Sequence, residues 1–358
     1  MGSRAARERL RPMPLPAAQV SSLGRRFRRR LTSVRWKERM TDMESPTAEE
    51  IRQAAARIRG SIRRTPVMTS RSLDERAGRA CFVKCENLQT TGSFKIRGAT
   101  NFALSLSGEE RAPGLVAFSS GNHGQAVAMA ARRLGVPATI VMPADAPKSK
   151  LKATADRGAR VITYDRFGED REAIGQRVSA ETGAVLVPPF DHAWTMAGQG
   201  TLALELLEDV PDLDTLVVCV GGGGMIAGCS IMAKAMQPEI AVYGAEPELA
   251  NDTWLSLQRG ERVQVDASGT IADGLRTPKP GALTFAVMRR LLSGVLLVTE
   301  EEIREAMRFV LGRMKLLAEP SGAVCVAAAL AGKLPASSRR VGLVISGGNV
   351  DLEFLASL

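Results

Sequence analysis

The chain has 358 residues, is 45% hydrophobic and carries a formal net charge of +10, which is apolar material enough for one large domain or two. Residues 1–40 hold eleven Arg and one Lys against Glu8 and Glu38, so the whole excess lies there and residues 41–358 are electrically balanced, which argues against a nucleic-acid footprint on the folded body. No run of about 18 residues is free of charged and polar breaks, as a membrane span requires, and the five cysteines Cys81, Cys85, Cys219, Cys229 and Cys325 form no Cys-x-x-Cys pair, which argues against a disulfide framework or a zinc site.

In chain order, residues 1–44 read as a disordered basic extension centred on Arg25-Arg26-Phe27-Arg28-Arg29-Arg30. Three uses stay open for it: a tail for RNA or acidic membrane, a mitochondrial presequence, or an upstream extension with Met40 or Met43 as the natural start. The body is expected to be soluble and cytoplasmic, with no membrane and no nucleic-acid partner. Thr47 and Glu50 form a capping box before Ile51, Ala54, Ala55 and Ile58. Strand candidates follow at 81–84, 115–118, 138–142, 160–164, 184–187, 216–220, 240–243, 295–298 and 341–345. Between them lie helices at 124–134, 168–181, 225–236 and 301–315, the last behind a second capping box of Thr299 and Glu302. Such alternation predicts an α/β fold of parallel sheets covered by helices. Nine strands are many for one open sheet, so two lobes with a site between them are expected: a large one from 45–112 and 191–358, and a small one from 113–190.

Lys95 stands in Thr91-Gly92-Ser93-Phe94-Lys95-Ile96-Arg97-Gly98, among apolar neighbours at a helix start. Desolvation there lowers an amine's pKa and makes it a nucleophile towards an aldehyde and a base afterwards; a snorkelling surface lysine is the plain alternative. Leu216 to Val220 runs into Gly221, Gly222, Gly223 and Gly224 before a helix opens at Met225, leaving backbone N–H groups at a helix N-terminus as a cradle for one phosphate. No Gly-Lys-Ser/Thr and no dinucleotide fingerprint is present, so the phosphate belongs to a compact cofactor. Phe118-Ser119-Ser120-Gly121-Asn122-His123-Gly124 groups two hydroxyls, an amide and backbone donors suited to a carboxylate and a phenolic oxygen, although an ordinary helix cap would have the same composition. With His123 and His192 the only histidines, a His-based triad or multi-histidine metal site is not expected.

Four motifs, Ser93-Phe94-Lys95-Ile96-Arg97-Gly98, Ser119 to Gly124, Gly221 to Gly224 and Ser346-Gly347-Gly348-Asn349, occur in the order of the fold-type II pyridoxal-phosphate enzymes, which residues 45–352 resemble. The nearest branch is that of the serine/threonine dehydratases and serine racemases. The resemblance implies a two-lobed fold like the tryptophan synthase β chain and a homodimer. Lys95 would hold pyridoxal 5'-phosphate, with Phe94 and Gly274 on the two ring faces, Asn122 at the ring oxygen, Gly221 to Gly224 at the phosphate and Ser346 at the pyridine nitrogen. A serine hydroxyl does not keep that nitrogen protonated, which favours β-elimination over transamination. The expected activity is an ammonia-lyase (dehydratase) acting on L-threonine, L-serine or 3-hydroxyaspartate, with Lys95 as base. Ser120, on the opposite side of the substrate carbon, is the second base of the racemases and opens serine or aspartate-type racemisation as the alternative. Ser119, Ser120, His123, Arg171 and Thr277 correspond to substrate contacts. Glu246, Ala250 and Asp252 correspond to a site for Mg2+, Ca2+ or Mn2+. The chain ends within ten residues of Asn349, so the regulatory domain of biosynthetic threonine dehydratases is not expected.

Overall fold

The computed structural model describes residues 44–119, 121–146 and 148–358; the basic head, Ser120 and Pro147 lie outside them, and of residues 148–150 only the helical backbone is described. Ten strands are present among the described residues: β1 (Val67–Met68), β2 (Ala80–Cys85), β3 (Leu115–Phe118), β4 (Ala138–Pro143), β5 (Arg160–Tyr164), β6 (Val185–Leu186), β7 (Thr215–Cys219), β8 (Ala241–Pro247), β9 (Gly294–Val298) and β10 (Arg340–Ile345). They form a six-stranded sheet in the order β1-β2-β10-β7-β8-β9 and a four-stranded sheet in the order β5-β4-β3-β6. Every pairing is parallel except β1 with β2. All nine strand candidates are found; β1 was missed because two residues show no period.

Both predicted capping boxes are present, at Thr47 with Glu50 and at Thr299 with Glu302. Two helix boundaries differ from expectation. The helix expected from residue 168 runs Arg171–Thr182, because the Asp170 carboxylate accepts from Glu172 and Ala173 N–H and starts it there. The helix expected to reach residue 315 is Glu300–Phe309 followed by a π-helical turn, Val310–Met314, which ends where Lys315 turns left-handed at φ 60°. No helix among the described residues is long and apolar enough to cross a membrane.

Parallel strands buried on both faces read as continuous apolar runs, and β7 is buried along its whole length. One helical layer on the large sheet joins Ala48–Ile58, Lys95–Ser105, Ala193–Asp209 and Gly224–Met236, and another joins Glu300–Phe309 to Pro320–Leu330. The small sheet has its own core of Val116, Val141, Tyr164, Ile174, Val178 and Ala184.

Beneath the helix Lys95–Ser105, four charges are buried together. Arg97 donates through Nε and Nη2 to both oxygens of Glu86, each at 2.8 Å, and through Nη1 and Nη2 to Glu205 at 2.8 and 2.7 Å. Lys84 donates to Glu205 and to Thr65 O, each at 2.7 Å. Arg97, Lys84 and Glu86 have no solvent exposure. Two cations balance two anions, the condition under which buried charge is tolerated.

Candidate active site

Two anchors set the position of Lys95. Phe94 N–H donates to Ser346 O at 3.0 Å, tying the turn to the end of β10, and two residues onward Arg97 is locked into the charge cluster. The Lys95 amine donates to Pro189 O at 3.0 Å and lies 5.1 Å from the centre of the Phe94 ring. Burial pushes its pKa down to about 8, against the opposing pull of Cys219 and Glu319. A usable fraction of neutral amine therefore exists near neutral pH, as attack on a carbonyl requires.

At the end of β7 the chain passes through Gly221 to Gly224 into the helix Gly224–Met236, whose N-cap Gly223 is left-handed (φ 90°) and provides no side-chain cap. A Cβ on Gly222 would run into the Phe190 ring, and one on Gly223 would lie 2.7 Å from Met288 Cε. Among the described residues no backbone acceptor meets the N–H groups of Gly221, Gly222 or Gly223. The neighbouring helix Ala282–Leu291 differs: the Asp191 carboxylate accepts from its first three N–H groups at 2.8, 2.9 and 3.1 Å. The glycine turn, unlike that helix, keeps its donors for an anion.

Asn122 opens the helix Asn122–Leu134, and its amide orientation is fixed from both ends. Its Oδ1 accepts from Asn349 Nδ2 at 2.8 Å and its Nδ2 donates to Glu319 Oε1 at 2.7 Å. One amide hydrogen remains for a further acceptor. Glu319 is buried as the N-cap residue of Pro320–Leu330, and its own N–H donates to Gly347 O at 3.0 Å. Sequence reasoning missed Glu319; Glu319-Pro320-Ser321-Gly322 signals only a helix start, with proline at its first position. The roles of Pro189 O and Phe190 were also missed, because a carbonyl and a packing ring leave no mark in a motif.

Ser346 is buried; its hydroxyl donates to Ser321 O over a long 3.4 Å and also meets the Cys219 thiol. Ser321 Oγ in turn accepts from Gly274 N–H at 2.9 Å. Gly274 O and Thr277 Oγ1 both lie 3.3 Å from where a Cβ of Gly221 would stand. Ser119 Oγ accepts from Gly121 N–H at 3.2 Å. Direct contacts thus link Lys95, Phe94, Ser346, Gly274, Thr277 and the glycine turn. Asn122 joins the same group through Glu319 and Gly347.

Three expectations fall differently. His123 was expected to offer its ring to substrate, but it is buried with Nε2 2.9 Å from Val187 O, and burial aided by the Lys95 charge pushes its pKa down to about 3. It is a neutral ring that fixes the turn. Arg171 is exposed at its helix start, 5.8 Å from the centre of the Phe118 ring, and lines a 350 Å³ hollow with Tyr164 and Arg166. Ser120 lies outside the described residues.

Glu246, Ala250 and Asp252 gather at the end of β8 and the turn that follows it. Glu246 accepts from Thr253 and Trp254 N–H at 3.2 and 2.9 Å. Neither carboxylate oxygen of the buried Asp252 has a hydrogen-bond partner among the described residues. Burial raises the pKa of both acids, that of Asp252 to about 7. No three His, Cys, Asp or Glu side chains cluster for a metal among the described residues; this set has two carboxylates and a carbonyl, hard oxygen donors suited to Mg2+, Ca2+ or Mn2+.

The family model described as "Pyridoxal-phosphate dependent enzyme" matches residues 58–347. The chain belongs to this family. The residues fit its coenzyme: an amine with lowered pKa, an uncapped glycine turn for the phosphate, an oriented amide and a buried hydroxyl. The chain is 47% identical to an L-threo-3-hydroxyaspartate ammonia-lyase from Pseudomonas sp, over 88% of this chain and 99% of that protein. It is 43% identical to a serine racemase from Schizosaccharomyces pombe, over 86% and 95% respectively. The solved structure of maize serine racemase superposes with a TM-score of 0.85 at 43% identity, covering 87% of this chain and 96% of that one.

The lowered pKa has a direct test in coenzyme-free protein. Reductive methylation of Lys95, followed by peptide mass spectrometry, should rise with pH through a midpoint near 8, against about 10.4 for an ordinary lysine. A midpoint at the ordinary value would remove the desolvated amine from the account.

Proposed function

We propose that the chain is an ammonia-lyase that converts a small 3-hydroxy amino acid, L-threonine, L-serine or 3-hydroxyaspartate, into a 2-keto acid and ammonia. The observation that carries this reading is the desolvated amine of Lys95, which donates to Pro189 O, while the adjoining Phe94 N–H donates to Ser346 O and the Phe190 ring, next to Pro189, closes on the uncapped glycine turn. Pyridoxal phosphate, when bound, supplies the electron sink that makes the Cα proton removable. Lys95 carries the coenzyme, then accepts the Cα proton on one side of the substrate. Gly221 to Gly224 would hold the phosphate, Asn122 would donate to the ring oxygen, Ser346 would meet the ring nitrogen, and Phe94 and Gly274 would flank the ring. The Ser119 hydroxyl and the adjoining N–H groups, with Thr277, bind and orient the substrate; Arg171 steers its carboxylate from the rim. Residues 113–190 form the small lobe and residues 45–112 and 191–358 the large one, in a cytoplasmic homodimer; the dimer and the location rest on the family resemblance.

Racemisation is the second reading, favoured by the likeness to serine racemases and assigned to Ser120 as base on the other side of Cα. Incubation with the three amino acids, assayed for keto acid, ammonia and enantiomer ratio, separates the two. Keto acid should exceed inverted amino acid; Lys95→Ala should lose at least about 100-fold in both, and Ser120→Ala should lose inversion alone. Inversion outrunning keto acid would make the enzyme a racemase, and keto acid formation undiminished in Lys95→Ala would sink the assignment.

Glu246, Asp252 and the Ala250 carbonyl hold a divalent cation, which neutralises two buried carboxylates and keeps the turn after β8 in place. Saturating Mg2+ should raise Tm by about 5 °C over protein in EDTA, the shift expected from binding at about 100 times Kd. Asp252→Asn should abolish that dependence; an unchanged Tm in wild type with Mg2+, Ca2+ and Mn2+ alike would count against the site.

A further inference from the structure

Building on the lyase reading, we infer that the site selects a 3-hydroxy amino acid bearing a second carboxylate, and that Arg276, assisted by Arg166, reads that carboxylate. A cavity of 790 Å³ is lined on one side by Arg166, just past β5 of the small sheet, and on the other by residues 264–268, Arg276 and Pro278 of the large-sheet body. It adjoins the site through the chain itself. Arg276 lies between Leu275 and Thr277, and Leu275 Cα and Thr277 Oγ1 each stand 3.3 Å from the would-be Cβ of Gly221, against the phosphate cradle. From the other side, β5 and β3 are two strand spacings apart, about 10 Å, so Arg166 and Ser119 stand at the same C-terminal edge of the small sheet.

The hydrogen bonding of Arg276 is what singles it out. Its Nε and Nη2 donate to one backbone carbonyl, Thr270 O, at 2.8 and 2.5 Å, and it makes no ion pair among the described residues. A carbonyl fixes the orientation of a guanidinium but does not neutralise it. The remaining donors form a planar fork suited to a carboxylate. Arg166 has part of its charge taken by Asp145 at 2.7 Å. Asp266 also lines the cavity, but its carboxylate accepts from Ser268 N–H at 2.9 Å. Asp266 thus stays an anion in the cavity, since an N–H donor does not neutralise it, but it makes no ion pair with either arginine among the described residues, and the fork of Arg276 stays open. L-serine and L-threonine bring nothing to it beyond the α-carboxylate already met by the Ser119 turn. The β-carboxylate of 3-hydroxyaspartate fits the open fork of Arg276.

The test compares kcat/KM for L-threo-3-hydroxyaspartate and for L-serine in the coenzyme-loaded wild type, Arg276→Met and Arg276→Lys. Wild type should prefer the dicarboxylate. Arg276→Met should lower the ratio of the two kcat/KM values by about 10- to 100-fold, the range for a charge-assisted hydrogen bond, chiefly through KM, and Arg276→Lys should recover part of it. Arg166→Met should shift the ratio the same way by less. An unchanged ratio in Arg276→Met, including one in which both values fall together as for a turn stabiliser, overturns the inference. A wild type that deaminates L-serine but not 3-hydroxyaspartate also overturns it and leaves the lyase reading standing; release of ammonia from neither of them nor from L-threonine removes both.

Discussion

Four charges sealed beneath one helix determine where the reactive amine stands. Arg97 is two residues from Lys95 and is held by two carboxylates that come from opposite parts of the chain, Glu86 after β2 and Glu205 on the helix Ala193–Asp209. Removing one partner of such a cluster leaves an uncompensated buried charge and costs about 3–5 kcal/mol, so its members cannot drift apart while the fold persists. The cluster joins a strand of the large sheet, the helix of Lys95 and the helix that follows the Pro189-Phe190 turn. Pro189 supplies the carbonyl to the Lys95 amine, and the Phe190 ring closes on Gly222. Amine, carbonyl and glycine turn are thus fixed by one set of contacts.

What remains unsatisfied around that frame is as informative as what is paired. Nearly every buried polar group finds a partner in a folded protein, and the neighbouring helix at Ala282 has its N–H groups capped by Asp191. The glycine turn has none of this, and Asn122 has one amide hydrogen in reserve. The spare donors occur where a phosphorylated ring would be held. At the end of β8 the imbalance has the opposite sign: Asp252 offers two acceptor oxygens with no donor.

The fold was largely legible because buried parallel strands leave apolar runs that hardly resemble anything else, as at Leu216 to Val220. β1 escaped because two residues carry no period, and the helix at Arg171 began late because the cap, Asp170, was read as part of the helix. At the site, the four adjacent glycines stood out through composition, whereas Lys95, open to a plain surface reading by itself, was singled out by the resemblance of four motifs taken in order. Glu319, Arg97 and Pro189 did not, since their importance lies in contacts made across 94 to more than 190 residues of chain. His123 misled in the other direction. A histidine in a motif turn suggests chemistry, but burial and one bond to Val187 O make it a neutral strut.

The central claim is that this lysine, and no other, carries the coenzyme. Borohydride reduction of the protein loaded with pyridoxal phosphate, followed by peptide mass mapping, should place a single pyridoxyl group on the peptide containing Lys95. A label on Lys84, Lys152 or any other lysine, with Lys95 unmodified, would contradict the account.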